Sequence, residues 1–132
     1  MNDPSATLYN WEQLPLEKLN DKIGRKLVTS DKMMVAHVYL EKGAVVPQHK
    51  HHNEQITYVL KGTLKFLLGA EQLEEVIVRA GEVLVIPSNL PHSAVALIDT
   101  LDVDIFNPPR EDWLDGSDSY LREATPTPQT DA

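Results

Sequence analysis

The chain has 132 residues and a mass of 14.8 kDa, which fits one domain and leaves no room for a separate cofactor-binding domain. Its 42% hydrophobic and 24% charged content is that of a globular protein, and twelve basic against twenty acidic residues, net −8, argue against nucleic acid or an anionic membrane as the main partner. Without cysteine, disulfide frameworks, thiolate metal sites and cysteine nucleophiles are excluded.

Taken from the N-terminus, residues 1–6 are small and polar and read as a tail. They contain no basic start followed by an apolar run, so no secretory signal is expected. No apolar stretch approaches the roughly 20 residues of a membrane helix, and a cytoplasmic address is the expectation. Strand-like runs rich in Val, Ile, Leu and Tyr follow near 23–29, 33–41, 44–47, 55–61, 63–68, 73–79, 83–86, 92–98 and 101–107. Gly43, Gly62, Gly69, Gly81, Pro87 and Pro91 punctuate them. This spacing predicts an all-β sandwich or barrel, one domain over 7–124. A short helix is expected around 111–122, with Trp113, Leu114 and Leu121 packing on the barrel, and 125–132 reads as a second tail. The acidity is local: residues 1–98 hold ten basic and eleven acidic side chains, residues 99–132 two and nine.

Two strands carry a polar and an apolar face each. Gln55, Thr57 and Val59 alternate with Ile56, Tyr58 and Leu60, and Asp102, Asp104 and Phe106 with Leu101, Val103 and Ile105. Either the polar faces meet water, or they line an internal pocket and the apolar faces are covered from outside. Alternation alone does not choose. His37 reads as an ordinary hydrogen-bonded barrel histidine, with pocket lining as the alternative its parity allows; Met33 and Met34 read as core or pocket wall, Tyr58 and Trp113 as packing residues, and the scattered lysines form no nucleic-acid stripe.

Four of the five histidines fall in two short segments. In Gly43-Ala-Val-Val-Pro-Gln-His49-Lys-His51-His52-Asn-Glu54-Gln55, the residues His49, His51 and Gln55 share parity, so on extended backbone they can converge on one ion at about 2.0–2.2 Å. A solvated His-rich loop is the bland alternative. Glu54 and His52 are rival ligands of the wrong parity. The second segment is Gly81-Glu-Val-Leu-Val-Ile-Pro87-Ser-Asn89-Leu-Pro91-His92.

Together the segments resemble the paired motifs of the cupin superfamily. Gly43, His49, His51, Gln55 and Gly62 stand at the spaced positions of G-x5-H-x-H-x3-E-x6-G. Gly81, Pro87 and His92 match G-x5-P-x-G-x2-H-x3-N, eighteen residues further on. The resemblance implies a double-stranded β-helix (a jelly-roll barrel) and one divalent transition metal, zinc, nickel, manganese or iron, on His49, His51, Gln55 and His92. Three positions depart from the pattern: Gln55 for the usual glutamate, Asn89 for glycine and Ala96 for asparagine. Asparagine tolerates positive φ. An amide in place of the carboxylate leaves the ion its full charge and weakens the case for an oxygen-activating dioxygenase.

The segment Leu101-Asp-Val-Asp104-Ile-Phe106-Asn-Pro-Pro-Arg110-Glu-Asp-Trp, read with His-x-His-x3-Gln, is similar to the pectin-degradation cupins of the KdgF type. That resemblance implies an enzyme converting 4,5-unsaturated uronates into linear 5-keto-4-deoxyuronate. Asp104, Phe106 and Arg110 would then flank the metal as acid/base, ring platform and carboxylate clamp. Asp102 shares Asp104's face one pleat away, expected to be mild to substitution if it lies at the rim. The alternatives are a small-ligand-binding or sensory cupin without turnover, or a metal-dependent dioxygenase or isomerase of another substrate. A homodimer is expected, because the apolar outer faces need cover, with residues 7–20 supplying part of it.

Overall fold

In a computed structural model describing residues 3–122, ten antiparallel strands form two sheets. The strands are β1 (Glu17–Lys18), β2 (Ile23–Thr29), β3 (Met34–Leu40), β4 (Val45–His49), β5 (Glu54–Lys61), β6 (Thr63–Leu68), β7 (Glu74–Arg79), β8 (Val83–Ile86), β9 (His92–Ala96) and β10 (Thr100–Asn107). A six-stranded sheet runs β1-β2-β3-β10-β5-β8 and a four-stranded sheet runs β4-β9-β6-β7. This is the all-β jelly roll with a small C-terminal helical segment. The tail expected at 125–132 lies outside the described residues; residues 3–10 are exposed coil.

Period-two alternation builds the core. Met34, Ala36, Val38 and Leu40 of β3 face inward, as do Leu64, Phe66 and Leu68 of β6 and Ala94 and Ala96 of β9. On β5 and β10 the faces invert relative to the bland expectation. Gln55, Thr57, Asp102 and Asp104 are buried, while Ile56, Tyr58 and Leu60 are 37–40% exposed. The polar faces therefore look into the barrel. β10 lies between β3 and β5, placing Asp104 beside Thr57 on one side and Ala36 on the other.

Turns fix the barrel's ends. Gly62 sits at φ +95°, and a Cβ there would run into Thr100 Oγ1 and the Asp99 carbonyl, so only glycine fits. Asn89 adopts φ +65° where the motif has glycine, the conformation asparagine was expected to tolerate.

Several expectations need correction, among them Leu114, which is exposed rather than packed on the barrel. The N-terminal segment does not cover the β5 face. It lies over β2 and β3 instead, with Trp11 stacked on His37 at 3.7 Å and Leu16 packed on Gly24. His37 accordingly faces outward rather than into the pocket; burial against Trp11, with Lys26 near, lowers its pKa. Met33 is exposed; only Met34 is core. The single helix expected over 111–122 is two short ones, α1 (Glu111–Asp115) and α2 (Ser119–Arg122), because Gly116 turns the chain at φ +81°.

Candidate metal centre and pocket

The barrel interior holds a cavity lined by His49, Gln55, His92, Asp102, Asp104, Phe106, Arg110, Trp113 and Tyr120, with apolar residues behind them. His49 and His92 stand opposite one another on β4 and β9 of the smaller sheet. Gln55 comes from β5 of the larger sheet, and His51 from the loop between β4 and β5. Nitrogens of His49, His51 and His92 lie within 4.8 Å of one another. His52 and Glu54 are exposed and point away, as their parity implies.

Each ring is held the same way. The Nδ1 of His49 donates to the Pro47 carbonyl (2.8 Å), that of His51 to Asn53 (3.0 Å) and that of His92 to Leu90 (2.8 Å). A carbonyl can only accept, so all three rings carry their proton on Nδ1 and present Nε2 as a bare lone pair. Burial, with the neighbouring cationic groups, pushes the His49 pKa down to about 3 and that of His51 to about 4, and burial lowers that of His92. The imidazoles are neutral at pH 7.

Two atoms fit this cluster only in the presence of a cation. The Nε2 of His92 is buried with no protein partner among the described residues. The Gln55 amide nitrogen donates to Thr57 Oγ1 (2.8 Å) and reaches Asp104 Oδ1 (3.4 Å), which turns its Oε1 toward His51 Nε2 at 3.1 Å. Two acceptors then face each other. That contact is repulsive unless positive charge sits between them, and three neutral imidazoles plus an amide oxygen suit a first-row divalent ion. The donor set fits a metal.

Behind Gln55 the polar face continues. Thr57 donates to Asp104 Oδ1 at 2.8 Å. Burial raises the pKa of Asp104, against hydrogen bonds with Asp102 and Thr57 and the pull of Arg110 and His92, and raises that of Asp102 well above the ordinary carboxylate value, with the charge of Asp104 and the hydrogen bond between the two carboxyls adding to it. Asp102 is 4% exposed. It lies inside the barrel, not at the rim.

Arg110 is placed by Pro108 and Pro109, which end β10, and by buried Asn53, whose amide donates to both proline carbonyls (2.6 and 3.2 Å). Its guanidinium is already committed. Nε and Nη2 form a bidentate pair with Asp112 (3.0 and 2.8 Å), and Nη2 also donates to Tyr120 Oη (2.7 Å). The rings of Phe106, Trp113 and Tyr120 lie 4.9–5.9 Å from it. Burial opposes its charge, but Asp112 and Tyr120 outweigh that and raise its pKa. Phe106, 1% exposed, is packed edge-on against His51 and Trp113.

Every residue singled out for the centre thus lines this cavity or borders it. Sequence reasoning passed over Asn53, Thr57 and Tyr120 as site residues. The parity of Thr57 with Gln55 was a usable signal; nothing in the spacing announces Tyr120.

Comparison with known proteins agrees with this architecture. A family model for the Cupin domain matches residues 36–105. The pectin degradation protein KdgF of Dickeya dadantii (strain 3937) is 34% identical over 106 residues, spanning 78% of this chain and 94% of that protein. The structure of KdgF from Halomonas sp. superposes with a TM-score of 0.76 at 28% identity, over 83% of this chain and 99% of the other. An RmlC-like cupin from Shewanella frigidimarina NCIMB 400, 24% identical over 83% of this chain and 96% of its own, superposes at 0.75 and shares the fold.

Proposed function

The chain belongs to the cupin family, and from that premise we propose that it is a metal-dependent enzyme of sugar-acid breakdown, a cytoplasmic homodimer opening 4,5-unsaturated uronates to linear 5-keto-4-deoxyuronate. The observation that carries the reading is the buried Asp104 carboxyl beside the histidine cluster, in a chain 34% identical to a pectin degradation protein. His49, His51, Gln55 and His92 would hold one divalent ion, which supplies Lewis acidity toward the substrate's oxygens.

The reaction is an isomerisation. The C1 hydroxyl loses a proton, the bond from C1 to the ring oxygen breaks to leave an aldehyde, the ring oxygen becomes the C5 enolate, and C4 gains a proton as C5 becomes a ketone. Asp104 is suited to the proton at C4, because burial holds its pKa above the ordinary carboxylate value. Thr57 fixes one of its oxygens, and the Asp102 carboxyl hydrogen-bonds to the same group. Phe106 forms the floor against which a ring can rest. Arg110 supplies fixed positive charge to the substrate carboxylate; with Asp112 on one edge of its fork, it offers less than a full bidentate clamp.

The test is loss of ultraviolet absorbance when purified protein meets unsaturated uronate from a lyase digest. Wild type is expected to turn it over, and Asp104→Asn to lower turnover by about 10²–10⁴-fold with metal content unchanged. Near-full turnover in the variant, or loss of its metal, overturns the role of Asp104. Binding of the uronate by wild type without loss of absorbance assigns the pocket to ligand binding alone.

A further inference from the structure

The proposed chemistry leaves Tyr120 without a task. Tyr120, on the last short helix, stacks its ring on His49 with centroids 4.4 Å apart and planes 27° from parallel. Its oxygen accepts from Arg110 Nη2 at 2.7 Å and from Trp113 Nε1 at 3.1 Å. A phenol oxygen accepts about two hydrogen bonds and donates one. Both acceptor positions are filled by groups that can only donate, so the hydroxyl hydrogen is turned away from them. It has no acceptor among the described residues, and Tyr120 lines the cavity.

The arrangement is a preset donor. Arg110 and Trp113 fix the oxygen, His49 fixes the ring plane, and the adjoining guanidinium polarises the O–H bond toward an incoming acceptor. Arg110 gives three of its hydrogen bonds to Asp112 and Tyr120, so part of its charge reaches a ligand through the phenol.

We propose that Tyr120 is a ligand-binding residue of this pocket, donating its hydroxyl hydrogen to an oxygen of a carboxylate-bearing ligand and so making the C-terminal helix part of the site. The inference rests on the reading of the pocket as one for sugar acids, but on binding rather than turnover. It also assigns the helix a selectivity role: an acceptor-bearing anion gains a hydrogen bond there, whereas a neutral ligand without an acceptor in that place leaves the donor unpaired.

The experiment compares wild type with Tyr120→Phe, both manganese-loaded. The variant keeps the ring on His49 and removes the hydroxyl, and with it the acceptor of Arg110 Nη2 and Trp113 Nε1. Calorimetric titration with galacturonate, a saturated uronate that lacks the 4,5 double bond and so cannot form the 5-keto-4-deoxy product, reads binding alone; unsaturated uronate reads turnover. Losing one hydrogen bond to an anion is expected to weaken galacturonate binding by about tenfold. KM should rise by a similar factor while kcat stays within about twofold. A purely structural tyrosine would instead lower kcat and leave galacturonate affinity unchanged. Equal galacturonate affinity in the two proteins, or no binding by wild type, overturns the proposal. Wild type that binds galacturonate through Tyr120 but leaves unsaturated uronate intact upholds it and overturns the enzymatic reading instead.

Discussion

At the scale of single residues, much of the site was open to a reader of the sequence. His49, His51, Gln55 and His92 meet because parity and motif spacing constrain where extended backbone can send a side chain. Asp102 is where that reasoning stopped short: it shares the face of Asp104, yet its depth depends on how the barrel closes, which spacing does not encode. Its burial has a consequence for stability. Because its pKa is raised in the native state, mainly by burial and then by Asp104, the folded protein holds a proton that the unfolded chain has already released. Stability therefore falls as pH rises through the native value. Asp102→Asn removes that titration. Its melting temperature is expected to match or exceed that of wild type at pH 8, with the advantage shrinking toward pH 5. Parallel melting curves across that range would show that Asp102 does not titrate this way.

Among the elements, strands were legible and the C-terminal segment was not. Alternation, with a glycine closing each run, marks β5 and β6 without further context. By contrast, what holds residues 110–122 against the barrel is a set of long-range polar contacts no local pattern reveals. Arg25, 1% exposed on β2, pairs with fully buried Asp118 at 2.6 Å, donates to the Trp113 carbonyl at 3.3 Å and lies 4.4 Å over the Trp113 ring. Arg25→Ala removes the buried partner of Asp118 and leaves it only the more exposed Arg122, so it should cost about 3 kcal/mol in denaturant unfolding. Arg122 also reaches Asp118, at 2.9 Å, but its side chain is 33% exposed. Arg122→Ala is expected to cost only about 0–1 kcal/mol. Similar costs for the two would mean that burial is not what gives Arg25 its weight.

For the molecule as a whole, the inverted faces leave an outer apolar surface. Register places Ile56 beside Val85 and Tyr58 beside Val83, all 38–60% exposed on the outside of β5 and the edge strand β8. A second copy laid on this surface would cover both the apolar side chains and the open edge. Light scattering at micromolar concentration is expected to give a dimer, and Tyr58→Glu with Val85→Lys a monomer that keeps its metal. A wild type that is monomeric under those conditions rejects the dimer and leaves the barrel untouched.

The four candidate ligands are not drawn from one part of the molecule. His49 and His92 belong to the smaller sheet, Gln55 to the larger, and His51 to the loop crossing from one to the other. An ion shared by these four would act as a rivet between the two walls, since the sheets could not separate without surrendering it. Occupancy and cohesion would then be a single equilibrium, with about 2.7 kcal/mol added at a free-ion concentration one hundred times the dissociation constant. A cell short of that ion would hold a looser barrel as well as an idle one.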